Sequence, residues 1–188
     1  MAESLTRRAG EHTVVFYRDN ELASVVGGYL LDAIRDGGVA IIVATPEHRI
    51  WVNAWLMQAG VDLATATASG SYVILDAWYT MDRFVIGDWP DPASFWSTLS
   101  PVLAAATRRR RPVRMFGEMV ALLWEGGRTD AAIELEALWN EMARHHTFSL
   151  LCGYPLASVD GDEYGDALAR VCDSHTGSIG SIDSIDPP

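Results

Sequence analysis

The chain has 188 residues, of which 49% are hydrophobic and 21% are charged, enough for one globular domain with a buried core. Its 25 acidic and 14 basic residues give a formal net charge of −11, which disfavours binding to nucleic acid or to an anionic membrane. No apolar stretch reaches the ~20 residues of a membrane span, and the first residues lack the apolar core of a signal peptide, so we expect a cytoplasmic protein.

Short apolar runs alternate with stretches of helical periodicity along the chain. Strands are predicted over Thr13–Tyr17, Val39–Ala44, Tyr72–Leu75, Val113–Phe116 and Phe148–Cys152. Helices are predicted over about 20–36, 46–59, 62–69, 93–110, 118–124, 129–145 and 162–172, and residues 77–92 have no clear pattern. This alternation predicts an α/β domain of three layers, with a mainly parallel five-stranded sheet between helices.

The two ends of the chain differ from this pattern. Residues 1–11 are predicted to be a flexible N-terminus. Residues 173–188 are rich in Ser, Gly, Asp and Pro, which is typical of a disordered tail. The folded domain is therefore expected over residues 12–172.

In a parallel sheet, ligands bind beyond the carboxyl ends of the strands. The residues at or just after those ends are Tyr17, Arg18, Asp19, Glu47, His48, Asp76, Glu118 and Tyr154. Helix N-termini attract carboxylates without any ligand, so the acids have a purely structural alternative, and Asp76 has the alternative of capping the next turn. The functional interpretation is a binding site for a small molecule in which Arg18 anchors a polar group.

The chemistry that the chain lacks is informative. It contains no lysine, which removes Schiff-base chemistry and the phosphate-binding lysine of a P-loop. No nucleophile elbow, H-E-x-x-H or C-x-x-C motif is present, so we expect no enzyme, no cofactor and no metal. An enzyme with Glu47 or Glu118 as its base is the alternative.

Two other features leave alternatives open. Cys172 and His175, with His145 and His146, could supply zinc ligands, but their spacing matches no known zinc motif. The chain also has seven tryptophans, which we expect mostly in the core, with an aromatic ligand cavity as the alternative. The tryptophan-rich stretch 78–96 is the second place where a site is expected.

Two segments, residues 12–49 and 113–155, carry a family resemblance. The phrases FYRD, ATPEHR, GEMVALLW, LWNE and FSLLCGYP within them resemble the MEDS family, a sensory domain named after methanogens, methylotrophs and the repressor DcmR. The resemblance covers about residues 12–172 and implies a fold similar to the RecA and KaiC ATPases.

The resemblance also implies a function. The P-loop position of those ATPases is occupied here by residues 17–20, which include neither glycine nor lysine, so no ATPase activity is expected. The family implies a stand-alone bacterial sensor of small, hydrocarbon-like molecules that signals through a partner protein. The alternative is an interaction module that docks a histidine kinase or an anti-sigma-type regulator without a small ligand.

Overall fold

The computed structural model describes residues 10–108, 111–159 and 165–179. Its strands are β1 (His12–Tyr17), β2 (Val39–Ala44), β3 (Tyr72–Asp76), β4 (Val85–Ile86), β5 (Trp89–Pro90), β6 (Val113–Gly117), β7 (Ser149–Pro155) and β8 (Gly177–Ile179). Its helices are α1 (Asp19–Arg35), α2 (Pro46–Gln58), α3 (Leu63–Ala68), α4 (Ala77–Met81), α5 (Pro92–Thr107), α6 (Met119–Glu125), α7 (Thr129–Ala143), α8 (Leu156–Val159) and α9 (Gly165–Asp173).

Six of these strands form one sheet in the order β3-β2-β6-β7-β1-β8, and each neighbouring pair is parallel. The α/β class and the parallel sheet are therefore confirmed. The prediction of five strands is corrected to six, because β8 has only three residues and no apolar run that a sequence pattern could reveal. The stretch 77–92, which had no clear pattern, contains α4 and the antiparallel pair β4–β5.

Helices cover both faces of the sheet, as the three-layer prediction requires. Alternate strand residues point to opposite faces, so neighbours such as Ile41 and Ile42 belong to two different apolar clusters. The first cluster joins the sheet to α4–α9, and the second joins it to α1–α3. Burial of these two clusters supplies the main driving force for folding.

The strand order creates a crevice at the carboxyl edge of the sheet, between β2 and β6. The chain leaves β2 through α2 and turns towards β3, whereas it leaves β6 through α6 and α7 and turns the other way, towards β7. These helices lie on opposite faces of the sheet. Open parallel sheets bind their ligands at such a switch in direction.

The folded domain includes more of the C-terminal segment than the sequence predicted. β8 pairs with β1, and the backbone N–H of Thr176 donates to the carbonyl oxygen of His12 at 2.7 Å. The predicted domain end at residue 172 and the predicted disorder from residue 173 are therefore corrected as far as residue 179. This segment has few large apolar side chains, and backbone hydrogen bonds to the edge of β1 hold it in place instead. Residues 180–188, and residues 1–9 of the predicted flexible N-terminus, lie outside the described part of the chain.

We predict that a chain ending at Asp173 is less stable than a chain ending at Ile179. The shorter chain loses the pairing of β8 and the contacts of Thr176 with His12, worth about 2 kcal/mol together. For a chain of this size that loss lowers Tm by about 4–8 °C in thermal unfolding. The longer truncation is the matched control, and equal Tm values for the two truncations would show that β8 contributes nothing to stability.

Candidate functional site

A buried carboxylate lies at the crevice between β2 and β6. Glu118 follows β6 directly and is only 1% exposed. Its Oε1 accepts a hydrogen bond from the backbone N–H of Thr45, and its Oε2 lies 2.5 Å from Nδ1 of His48. Glu118 makes no side-chain hydrogen bond at the start of its own helix, so its partners come from the start of α2 on the other side of the crevice.

His48 connects this carboxylate to the protein surface. It lies in the first turn of α2, where Thr45 caps the helix and Pro46 occupies its first position. The side chain of His48 is 19% exposed. Its ring lies 6.2 Å from the ring of Tyr17, edge to face, and 5.2 Å from the ring of Trp51. The imidazole is therefore held by contacts with Glu118 and with two aromatic rings.

The electrostatics of the crevice favour positive charge. Burial lowers the pKa of His48, but the hydrogen bond and charge of Glu118, with the charges of Asp19 and Glu47, outweigh it, so the pKa is raised above its ordinary value. Partial burial and the charge of Glu118 likewise raise the pKa of Glu125. Burial raises the pKa of Tyr17, and the negative charge of Glu118 raises it further, so the phenol stays neutral. The crevice thus combines several carboxylates with one imidazole.

A depression of about 330 Å³ opens against Trp51. It is lined by Asp19, Asn20 and Ala23 from the first turns of α1, and by Trp51 from α2. Trp51 also packs against His48, so this one residue connects the depression to the buried pair of Glu118 and His48. An apolar ring beside a carboxylate and an amide is a suitable surface for a small molecule with one polar end.

Several residues predicted from the strand ends belong to this group. Tyr17, Asp19, Glu47, His48 and Glu118 interact through contacts or charges at the crevice. Asp19 and Glu47 are exposed residues in the first turns of α1 and α2. These positions also agree with the structural alternative, in which a helix N-terminus favours a carboxylate without any ligand.

The other three predicted residues lie elsewhere. Arg18 has a side chain 59% exposed and pairs with Glu21 at 3.7 Å, so it points along α1 and not into the crevice. Asp76 pairs with Arg49 at 2.7 Å and also caps α4, which is the structural alternative that its position suggested. Tyr154 is fully buried on the face of the sheet covered by α4–α9, opposite the face on which Tyr17 lies.

The predicted site residues did not include Thr45 and Glu125 at the crevice, or Asn20, Ala23 and Trp51 in the lining of the depression. Helical spacing in the sequence could have indicated one of these residues, Glu125. Glu125 follows Glu118 by seven residues, which is two turns of a helix, so both carboxylates lie on the same side of α6. The position of Trp51 next to His48 depends on the entry angle of α2, which no sequence pattern specifies.

The zinc ligands considered from the sequence do not come together. His145 and His146 lie beside Trp96, with ring centroids 5.2 and 6.4 Å away. His175 lies against His12 instead, with ring centroids 4.0 Å apart. Cys172 packs at the border of the apolar core.

The sequence matches one protein-family model over residues 11–176, described as MEDS, the methanogen/methylotroph, DcmR sensory domain. The match covers most of the chain, so the chain belongs to the MEDS family, as the resemblance indicated. Comparison with curated proteins gives no match. Along the described residues no helix is long and apolar enough to cross a membrane.

We predict that Glu118→Gln lowers the pKa of His48. In the folded protein this pKa lies above its ordinary value of 6.5, so protonated His48 stabilises the fold below that pH, and the contribution is lost as the pH rises through the raised pKa. Without the charge of Glu118 the effect of burial dominates, and the pKa falls. An NMR titration of the imidazole signals, assigned with His48→Gln, measures the change.

Glu21→Gln is the control for this titration, because Glu21 is a carboxylate of α1 that pairs with Arg18 and not with His48. It should leave the pKa of His48 unchanged. An unchanged pKa in Glu118→Gln would mean that the buried carboxylate does not control the protonation of His48.

Proposed function

We propose that this MEDS domain senses a small molecule that binds at the crevice between β2 and β6, and that it passes the signal to a partner protein. The family supports the sensory role. The observation that carries the site is the hydrogen bond between Glu118 and His48 across the crevice, together with the contact of His48 with Trp51, which lines an open depression. A ligand that hydrogen-bonds to His48 would compete with Glu118 for the imidazole. It would therefore weaken the contact that holds α2 against the end of β6.

The lining of the depression suggests the class of ligand. Trp51 and Ala23 supply apolar surface, whereas Asp19 and Asn20 supply hydrogen-bond acceptors. The surrounding carboxylates disfavour anions and favour a neutral hydrogen-bond donor or a cation. We therefore propose a small, mostly apolar molecule with one hydrogen-bond-donating or cationic group. Arg18 does not anchor the ligand in this proposal, because its side chain pairs with Glu21.

A second candidate function is docking of a protein without a small ligand. α4 and the β4–β5 hairpin carry large side chains between 48% and 66% exposed, a feature of protein-binding surfaces. These residues are Trp78, Tyr79, Ile86 and Trp89. A histidine kinase or an anti-sigma-type regulator would be such a partner. This surface is also compatible with the first proposal, in which it would transmit the signal.

We predict that the protein neither binds nor hydrolyses ATP. β1 ends at Tyr17 and α1 begins at Asp19, so a single residue connects them where an ATPase has its phosphate-binding loop. Asp19 and Glu21 in the first turn of α1 also repel phosphate. Isothermal titration calorimetry at millimolar ATP and Mg²⁺ should show no saturable heat. Saturable heat that disappears in Glu118→Ala would overturn this prediction.

We predict that ethanol, methylamine or dichloromethane, used as probes, shifts the NMR signals of the His48 imidazole and the Trp51 indole in a saturable way. Trp51→Ala should weaken that binding by about ten-fold, because the substitution removes roughly 1.4 kcal/mol of contact with the aromatic ring. The measurement is the titration midpoint for each probe.

Trp78→Ala is the matched control, since Trp78 is a half-exposed tryptophan outside the depression. It should bind the probe as the wild type does. Loss of binding in Trp78→Ala with retention in Trp51→Ala would move the ligand site to α4, and unchanged signals with all three probes would favour the docking function.

A further inference from the structure

A second polar cluster lies on the other face of the sheet, within the core. It consists of His12 at the start of β1, Glu136 on α7, Cys152 on β7, and His175 just before β8. The four side chains are almost completely excluded from solvent: the carboxylate of Glu136 and the imidazole of His175 have no exposed area, and that of His12 is 5% exposed. One potential ligand atom from each residue lies within 4.8 Å of all the others.

Hydrogen bonds outside the cluster orient both imidazoles. Nδ1 of His12 lies 2.9 Å from Oδ1 of Asn140, whose Nδ2 donates to the carbonyl oxygen of Ser174. The amide orientation of Asn140 is thereby fixed, and Nδ1 of His12 must be the donor. Nδ1 of His175 lies 2.6 Å from the carbonyl oxygen of Val171, which can only accept. Each ring therefore presents Nε2 to the centre of the cluster.

The centre of the cluster is short of protons. Both Nε2 atoms carry lone pairs when Nδ1 is the protonated nitrogen, and the carboxylate oxygen is also an acceptor. The thiol of Cys152 supplies one proton, which it donates to Oε2 of Glu136 at 3.1 Å. Nε2 of His175 is fully buried and makes no hydrogen bond. With both imidazoles neutral, four acceptor atoms face one another with one proton among them, an arrangement that a cation would stabilise.

Four of the six distances between these atoms are close to those expected for ligands around one metal ion, and all six are within 4.8 Å. With bonds of about 2.0–2.3 Å, tetrahedral N, O and S ligands lie roughly 3.3–3.6 Å apart. Oε2 of Glu136 lies 3.2 Å from Nε2 of His12, 3.5 Å from Nε2 of His175 and 3.1 Å from Sγ of Cys152. Nε2 of His12 lies 3.2 Å from Sγ of Cys152. The other oxygen of Glu136 accepts a hydrogen bond from Tyr154 at 2.9 Å, so the carboxylate has one oxygen left for a metal.

We propose that His12, Glu136, Cys152 and His175 bind one divalent metal ion of zinc-like chemistry, with Tyr154 and Asn140 as positioning residues. Two imidazoles, one thiolate and one carboxylate form a ligand set that Zn²⁺ prefers, and four protein ligands in a closed site are typical of structural zinc. Binding breaks the S–H bond of Cys152, whose proton passes to solvent, and the thiolate sulfur bonds to the metal. The imidazole–Nδ1 hydrogen bonds match the outer contacts that orient histidine ligands.

The metal would join four segments that are far apart in the sequence. Because His175 lies two residues before β8, the ion would fasten the end of the domain to β1, α7 and β7. This site is independent of the crevice between β2 and β6, which lies at the carboxyl edge and involves none of the four ligands. The proposal therefore stands or fails separately from the proposed ligand site.

Titration of the chelator-treated full chain with Co²⁺ tests the proposal, since Co²⁺ occupies zinc sites and absorbs light when a thiolate binds it. We expect one equivalent to bind, a thiolate-to-cobalt charge-transfer band to appear, and Zn²⁺ to displace the Co²⁺. Elemental analysis of the Zn²⁺-loaded protein should give one zinc per chain, and the metal should raise Tm. A wild-type protein that binds neither ion, or binds both without the band, would overturn the proposal in favour of a metal-free His–Glu pair.

Variants assign the ligands. Cys152→Ser should abolish the charge-transfer band, whereas Cys172→Ser, which removes the other cysteine, should keep it. Tyr154→Phe keeps the buried ring and loses only the hydrogen bond to Glu136, so it should weaken metal affinity by about 10–100-fold. Circular dichroism verifies that each variant is folded. A band that persists in Cys152→Ser, or that disappears in Cys172→Ser, would contradict the assigned ligands.

Discussion

The buried carboxylate of Glu118 is the constraint on which the crevice depends. A carboxylate with 1% exposure is stable only if donors surround it, and breaking such a buried pair costs roughly 3–5 kcal/mol. The donors here are the backbone N–H of Thr45 and the imidazole of His48, both at the N-terminus of α2. The position of α2 relative to β6 is therefore fixed by electrostatics as well as by packing.

The strand order explains why this pair forms at all. β2 and β6 are separated by about seventy residues in the sequence, yet they are neighbours in the sheet, with Val43 opposite Gly117. The next residues of the two strands then meet at the crevice. General rules for parallel sheets place ligand-binding groups at strand ends, which is why the sequence predicted Glu118 and His48 as site residues, and the structure brings the two side chains into contact. The same rules could not say which strand ends are adjacent, because that depends on long-range pairing.

The errors of the sequence-based predictions have identifiable physical causes. Tyr17 is the last residue of β1 and Tyr154 the last but one of β7, and the two strands pair so that Phe16, not Tyr17, lies opposite Tyr154. Side chains alternate along a strand, so the two tyrosines point to opposite faces, and only the register reveals this. Arg18 was assigned to the crevice because of its charge, but its local partner Glu21, three residues later, determines its direction. β8 was missed because main-chain pairing leaves no hydrophobic signal in a three-residue strand.

The two polar clusters of the domain have similar chemistry but different access to solvent. Each contains a buried glutamate in contact with a histidine: Glu118 with His48, and Glu136 with His12. The first histidine reaches the surface beside an open depression, which suits a ligand that comes and goes. The second cluster is sealed beneath α7, which suits a permanent structural role.

β7 connects the two faces on which these clusters lie. Cys152 and Tyr154 point to the sealed cluster, and Gly153 between them points to the opposite face, where an added Cβ would lie 2.7 Å from the ring of Phe116 and 3.0 Å from that of Tyr17. Tyr17 in turn contacts His48. Because residue 153 is glycine, the rings of Phe116 and Tyr17 can lie close to β7, the strand that also contributes Cys152 to the sealed cluster. A shift of β7 would therefore disturb both clusters, because side chains pack against both of its faces.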